Sequence, residues 1–93
     1  MMEIELKRDE FEEWLKKQDD DKIFSCSCLT CPLAIFLQEK YNRVDISVEW
    51  NSIYQINNCI QQALPYFARK FIWYWGDTKS NAKDALKILK EIE

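Results

Sequence analysis

Residues 44–50 alternate strictly between apolar and polar side chains, and no other feature of the sequence constrains the fold as much. A period of two predicts a β-strand with one face in the core and the other in water. A lone strand leaves its backbone hydrogen-bonding groups without partners, so a second strand is required nearby. The apolar positions are Val44, Ile46, Val48 and Trp50, and the polar ones are Asp45, Ser47 and Glu49.

The required partner strand is predicted at residues 53–56, directly after the turn signal Asn51-Ser52. Together the two strands make a β-hairpin. Residues 52–62 have a second interpretation, as a helix that begins at Ser52, because their isoleucines also have helical spacing. The hairpin is favoured because it supplies the first strand with a partner. The isoleucines concerned are Ile53, Ile56 and Ile60.

Four helices are predicted in total, two before this hairpin and two after it. Apolar residues recur in these segments at the three- and four-residue spacing of one helix face. Pro32 and Pro65 suit a first helical turn, where the N–H that proline lacks would have no partner. The predicted helices cover about residues 9–18, 32–42, 65–75 and 80–92.

The residues at the predicted helix ends are consistent with these boundaries. Asp9 and Ser80 have side chains that commonly accept a hydrogen bond at a helix N-cap. Cys31 falls at the N-cap of the helix that Pro32 begins. Asn42 is expected to end that helix, because asparagine tolerates the left-handed backbone conformation.

These predictions describe an α+β protein, rich in helix, with about four helices and one β-hairpin. The order is helix, helix, hairpin, helix, helix. A chain of 93 residues suits one domain, and no repeat or linker divides it, so residues 1–93 are expected to form a single domain.

The composition excludes several familiar chemistries. The chain has no histidine, which removes the usual general base and every catalytic site that depends on imidazole. Its single glycine, Gly76, cannot supply the glycine-rich loops that bind nucleotide phosphates. No pair of acids stands out either, since Asp45 and Glu49 share a strand face that the alternation places in water. We therefore predict no catalytic residues and no enzymatic activity.

Charge is unevenly distributed along the chain. Residues 1–22 hold nine acids against five bases, whereas residues 23–93 hold seven acids against eight bases. Neither part is basic enough to predict nucleic-acid binding. No apolar run approaches the roughly 20 residues that a membrane helix needs, and the first residues do not resemble a secretory signal. We expect a cytoplasmic protein that does not bind membranes.

Three cysteines lie close together before the second helix, and a fourth follows at a distance. Their spacing is C-x-C-x2-C, with the last member 28 positions further on. Four thiolates can hold a structural zinc ion, which is the one cofactor that the sequence suggests. The candidate ligands are Cys26, Cys28, Cys31 and Cys59.

Two other interpretations of the cysteines stay open. Cys28 and Cys31 form a C-x2-C pair at a helix start, as in thiol oxidoreductases. Alternatively, the cysteines are small buried residues or free thiols with no cofactor at all. Cysteines are more often free thiols or metal ligands than disulfides in a reducing compartment.

Three short motifs follow one another between residues 26 and 77. They are Cys28-x-x-Cys31-Pro32-Leu33-Ala34-x-x-Leu37, the alternation of Val44 to Val48, and Leu64-Pro65-x-Phe67-x-x-x-Phe71 near Asp77. Through these motifs the chain resembles a loose group of small hypothetical bacterial proteins, found in cyanobacteria, actinobacteria and mobile elements, in which Phe67 is usually tryptophan. The resemblance implies a hairpin between two helices. It implies no functional residues, because the group has no assigned activity.

The third predicted helix is apolar around most of its circumference. Such a helix is either buried on all sides or shares one face with a partner. Tryptophan and tyrosine commonly anchor protein interfaces. We predict that this helix contributes to an interface with another protein or with a second copy of the chain. The candidate interface residues are Phe71, Trp73, Tyr74 and Trp75.

Taken together, the sequence favours a small non-enzymatic interaction protein, for example an accessory or inhibitor encoded by a phage or mobile element. The alternative is a domain that zinc stabilises, or a small thiol-redox protein that uses Cys28 and Cys31.

Overall fold

Helices and short antiparallel strands share one hydrophobic core in the computed structural model, which describes residues 4–25, 29–49, 52–56, 60–75 and 80–92. Within these ranges the chain forms four helices and five strands, so the predicted α+β class is confirmed. The elements are α1 (Arg8–Lys16), β1 (Ile23–Phe24), α2 (Pro32–Tyr41), β2 (Ile46–Val48), β3 (Ser52–Gln55), β4 (Ile60–Ala63), α3 (Tyr66–Trp75), β5 (Ser80–Asn81) and α4 (Ala82–Lys90).

Strands β2, β3 and β4 form an antiparallel sheet in that order. The predicted hairpin is confirmed, because Ile46 pairs with Gln55 and Val48 pairs with Ile53. The helical interpretation of residues 52–62 is wrong, and the single hairpin was an incomplete prediction. A third strand, β4, pairs with the other edge of β3 and satisfies its backbone groups. Its glutamines gave no alternating apolar signal.

Strands β1 and β5 form a separate two-stranded pairing between distant parts of the chain. Ile23 lies opposite Asn81, and Phe24 lies opposite Ser80. The backbone N–H of Ala82 also donates to the carbonyl of Lys22 at 2.9 Å. A two-residue strand has no measurable periodicity, so this pairing could not be predicted.

Two of the four predicted helix caps are confirmed and two are wrong. Cys31 is the N-cap of α2, and Asn42 ends that helix in the left-handed conformation with φ of 54°. Asp9 lies inside α1, whose N-cap is Lys7 without any side-chain hydrogen bond. Ser80 lies in β5, and Asn81 caps α4 instead by accepting a hydrogen bond from the backbone N–H of Asp84 at 2.9 Å.

The buried apolar side chains of the described residues form one cluster. Phe11 of α1 lies at its centre, with its ring centroid 5.5 Å from that of Phe36 and 5.2 Å from that of Phe71. Helices α1, α2 and α3 therefore meet at aromatic rings. Helix α4 adds its predicted apolar stripe, of which Ala82, Ala85, Leu89 and the following Ile92 are buried.

The predicted division of residues 44–50 into a core face and a water face is only partly confirmed. Ile46 and Val48 are buried and Glu49 is exposed as predicted, but Asp45 and Ser47 are also buried, and Val44, expected in the core, is exposed. For Asp45 the reason is an ion pair with a base two positions earlier in the chain. The guanidinium of Arg43 donates to both carboxylate oxygens of Asp45, at 2.8 and 2.7 Å, so this acid can be buried while paired. Trp50, also predicted in the core, lies outside the described residues.

None of the helices in the described ranges is long and apolar enough to cross a membrane.

Candidate functional site

Helix α3 has one face in the core and another in water. Phe71 and Trp75 are buried and their rings stack with centroids 5.7 Å apart. The indole N–H of Trp75 donates to the carbonyl of Ser25 at 3.3 Å, which ties this face to the loop before α2. Ala68 completes the buried side of the helix.

The opposite side of α3 exposes three large aromatic residues with two bases among them. Tyr66, Trp73 and Tyr74 are 58%, 65% and 52% exposed. Arg69 and Lys70 lie between them at the spacing of neighbours on a helix surface. We call this set the α3 face: Tyr66, Arg69, Lys70, Trp73 and Tyr74.

The members of the α3 face form a shallow depression with a basic edge. Tyr66, Arg69, Lys70 and Trp73 line this depression together. The Lys70 ammonium lies 5.7 Å from the ring centroid of Tyr66, which is the range of a cation–π contact. An aromatic floor beside cations suits a ligand that combines apolar area with negative charge.

The structure divides the four predicted interface residues into two pairs. Phe71 and Trp75 are 1% and 3% exposed and belong to the core, whereas Trp73 and Tyr74 lie on the surface. The sequence prediction of the interface did not include Tyr66, although Tyr66 lies one helical turn before Lys70 and two turns before Trp73. That spacing could have placed it on the same face, had the core side of the helix been known.

A second surface lies between α1 and α2, and its charge is opposite. Its floor is aromatic, formed by Trp14 and the buried Phe36, whose ring centroids are 5.6 Å apart. Its walls hold four carboxylates against two ammonium groups. We call this surface the α1–α2 groove, and its lining is Asp9, Glu10, Glu13, Trp14, Lys17, Phe36, Glu39 and Lys40.

Hydrogen bonds and ion pairs fix the walls of the α1–α2 groove. The indole N–H of Trp14 donates to Glu39 Oε1 at 3.1 Å. Lys40 Nζ donates to Glu10 Oε1 at 2.6 Å and to the backbone carbonyl of Glu5 at 2.9 Å. The hydrogen bond from Lys40 holds the pKa of Glu10 below its ordinary value, so this carboxylate stays charged at neutral pH.

A similar exposed ion pair lies close to this groove. Lys7 Nζ lies 3.1 Å from Glu5 Oε1. The hydrogen bond with Glu5 is the main cause that raises the pKa of Lys7. The lowered pKa of Glu10 and the raised pKa of Lys7 each favour the charged form of the group, as ion pairs do.

Cys31 is the only one of the four predicted metal ligands among the described residues. It is buried, and its Sγ accepts a hydrogen bond from the backbone N–H of Ala34 at 3.4 Å. Within the described residues no three potential ligands cluster as a metal site would require. Cys26, Cys28 and Cys59 lie outside those residues, so the zinc and thiol-redox hypotheses both stay predictions.

Hydrogen bonds connect the described residues just before α2 to one another and to the sheet. Ser25 and Thr30 form a hydrogen bond between their hydroxyl groups. The amide of Gln38 donates to the carbonyls of Leu29 and Ile46, each at 2.9 Å. One side chain of α2 thereby connects the loop to strand β2.

Asp45, the buried acid directly before β2, is held in a network of hydrogen bonds that joins parts of the fold. Arg43, which binds both its carboxylate oxygens, also donates through Nη1 to Oε1 of the buried Gln55 at 2.9 Å. The backbone carbonyl of Asp45 accepts from Ile56 at 3.0 Å. This network joins the turn after α2 to the hairpin. The carboxylate of Asp45 is already bound in it by the guanidinium of Arg43.

Comparisons with protein-family models, with curated proteins and with solved structures found no match for this chain.

Proposed function

We propose that this protein is a non-enzymatic interaction protein that binds an acidic surface of another protein molecule through the α3 face. The observation that carries the proposal is the exposure of Trp73 and Tyr74 beside Arg69 and Lys70, on a helix whose other side is core. Exposing three large aromatic residues on a ten-residue helix leaves apolar area in water, and covering it with a partner removes that cost.

The residue types also favour a protein ligand. Tyrosine, tryptophan and arginine are the residues enriched at energetically important positions of protein interfaces. The α3 face adds two cations, which would select a partner of negative charge. The binding of one helix face in a groove of the partner is a common mode of peptide and protein recognition.

A nucleic acid is a weaker candidate ligand for the same face. Single-stranded nucleic acids do stack on aromatic residues, but they bind along extended basic grooves. Two bases make a small patch, and the formal charge of −3 for the whole chain would repel a polyanion at long range.

We also propose that the protein acts in the cytoplasm and that its function does not involve a membrane.

Site-specific photo-crosslinking in the natural host tests this proposal. A photoreactive phenylalanine analogue at position 74 should capture a partner with an acidic surface, whereas the same analogue at the exposed position 44 should not. Arg69→Glu with Lys70→Glu should abolish capture and weaken binding of the purified partner at least tenfold, because both cations are reversed.

The matched control is Lys83→Glu with Lys87→Glu, which makes the same charge change at two exposed positions of α4. This control should bind the partner as the unaltered chain does. Equal capture from positions 44 and 74, or equal binding by both double variants, would overturn the proposal. So would tight binding of a single-stranded oligonucleotide that only the α3 variant loses, since the ligand would then be a nucleic acid.

A further inference from the structure

We infer that the acidic surface bound by the α3 face is the α1–α2 groove of a second copy of this chain. This inference rests on the proposed function and names its partner. One molecule carries both surfaces, and each has the chemistry that the other lacks.

Charge complementarity is the first support. The α3 face presents Arg69 and Lys70 without any carboxylate among its members. The α1–α2 groove has four carboxylates and two ammonium groups, one of which, Lys40, is already held by Glu10. Glu13 is also paired, with Lys16 Nζ at 3.6 Å. The groove lining as a whole still has two more carboxylates than ammonium groups, so its net charge is opposite in sign to that of the α3 face.

Shape and apolar area give the second support. A ten-residue helix is about 15 Å long, and α1 and α2, which border the groove, have nine and ten residues. The groove lining extends from Asp9 to Lys17 on the α1 side and from Phe36 to Lys40 on the α2 side, so part of a third helix can contact both walls. The indole of Trp14 and the ring of Phe36 offer an aromatic floor to Trp73, which is the most exposed aromatic residue described.

The contact joins two different patches of the same molecule. Copies that offer the α3 face to one neighbour and the groove to another form rings or chains, and two copies that exchange both contacts form a two-fold dimer. Because much of the attraction is between exposed charges, it should weaken as salt rises.

Analytical ultracentrifugation of the full chain, over micromolar to submillimolar concentrations, tests the inference with two charge-reversal variants. The face variant is Arg69→Glu with Lys70→Glu, and the groove variant is Glu13→Lys with Glu39→Lys. All four positions are on the surface, and circular dichroism checks that both variants keep the fold. Each variant alone should associate at least tenfold more weakly than the unaltered chain, because like charges then meet.

An equal mixture of the two variants is the decisive sample. The intact face of the groove variant then meets the intact groove of the face variant, and the two reversed surfaces also attract each other. Association should return to within about threefold of the unaltered chain, by the same electrostatic complementarity. A variant that had lost its fold could not be rescued in this way. The α4 control, Lys83→Glu with Lys87→Glu, should associate as the unaltered chain does.

Two results would overturn the inference. The first is a mass of one chain at every concentration, at both roughly 0.05 M and roughly 0.5 M salt. The second is self-association that the mixture does not restore. The crosslinking experiment distinguishes these from failure of the proposed function: capture of a different acidic protein, lost in the face variant, would keep the α3 face as the binding surface while removing the second copy as its partner.

Discussion

The side-chain amide of Gln62 forms two hydrogen bonds with the backbone of Ile4, which lies 58 positions earlier in the chain. Ile4 N–H donates to Gln62 Oε1 at 3.0 Å, and Gln62 Nε2 donates to the Ile4 carbonyl at 2.6 Å. The amide thus pairs with the backbone N–H and carbonyl of Ile4 as the backbone of a neighbouring strand would. It holds the segment before α1 against the sheet and keeps Ile4 in the core.

Gln62→Leu should therefore destabilise the protein by about 2 kcal/mol, because two partly buried backbone groups lose their partners. Gln61→Leu is the matched control, since the neighbouring side chain is exposed and donates a single bond to Ser52 at 3.1 Å. It should cost less than about 1 kcal/mol. Urea unfolding measures both, and hydrogen exchange at Ile4 should accelerate only in Gln62→Leu. Equal losses would contradict the special role of Gln62.

Removing the guanidinium of Arg43 should lower the free energy of unfolding more than Gln62→Leu does. Arg43→Met removes the guanidinium that binds the 7%-exposed carboxylate of Asp45 and should cost about 3 kcal/mol in the free energy of unfolding. Arg43→Met combined with Asp45→Asn should recover part of that loss, because the buried charge is also removed. Chemical denaturation compares the two. A double variant less stable than the single one would contradict this account of the pair.

The two sides of α3 should respond differently to truncation. Phe71→Ala opens a cavity among the aromatic rings of the core and should cost about 3–5 kcal/mol. Trp73→Ala removes a larger side chain, yet it should change the stability by only about 0.5 kcal/mol, because that side chain is mostly in water. Thermal unfolding of both variants tests the assignment. Similar losses would show that Trp73 contributes to the fold rather than to binding.

The Glu10–Lys40 pair should stabilise the protein only while Glu10 is ionised. The pKa of Glu10 in the folded state lies below its ordinary value of 4.5, owing mainly to the hydrogen bond from Lys40. The stabilisation is therefore complete above pH 4.5 and is lost as the pH falls through the folded pKa. Glu10→Gln should be less stable than the unaltered chain at neutral pH, and the difference should vanish in acid.

Urea unfolding at neutral pH and well below pH 4.5 measures this change. A difference between Glu10→Gln and the unaltered chain that persists unchanged in acid would mean that the pair is not its source.

Local signals in the sequence were enough to predict the elements whose determinants lie within a few residues. Pro32 and Asn42 correctly predicted the start and the end of α2, because each acts through its own backbone preference. The alternation at residues 44–50 led to the hairpin for a similar reason. Where two neighbouring residues could both cap a helix, as with Ser80 and Asn81, composition alone could not choose between them.

The candidate site was only partly accessible to sequence reasoning. The aromatic richness of α3 indicated an interface, but it did not separate Phe71 from Trp73. That separation depends on which side of the helix meets Phe11, and Phe11 lies 60 positions earlier in the chain. The α1–α2 groove was not predicted at all, since its lining comes from two helices that only the packing brings together.

By itself the sequence determined the α+β class, the approximate limits of four helices and the hairpin, because backbone preference and hydrophobic periodicity are local properties. It also shows that these 93 residues contain no histidine and a single glycine. Only the tertiary structure decided that the Arg43–Asp45 pair is joined to Gln55, that Gln62 reaches Ile4, and which aromatic residues of α3 face water. Those outcomes depend on contacts between distant segments, and the sequence pattern of one segment carries no record of its partner.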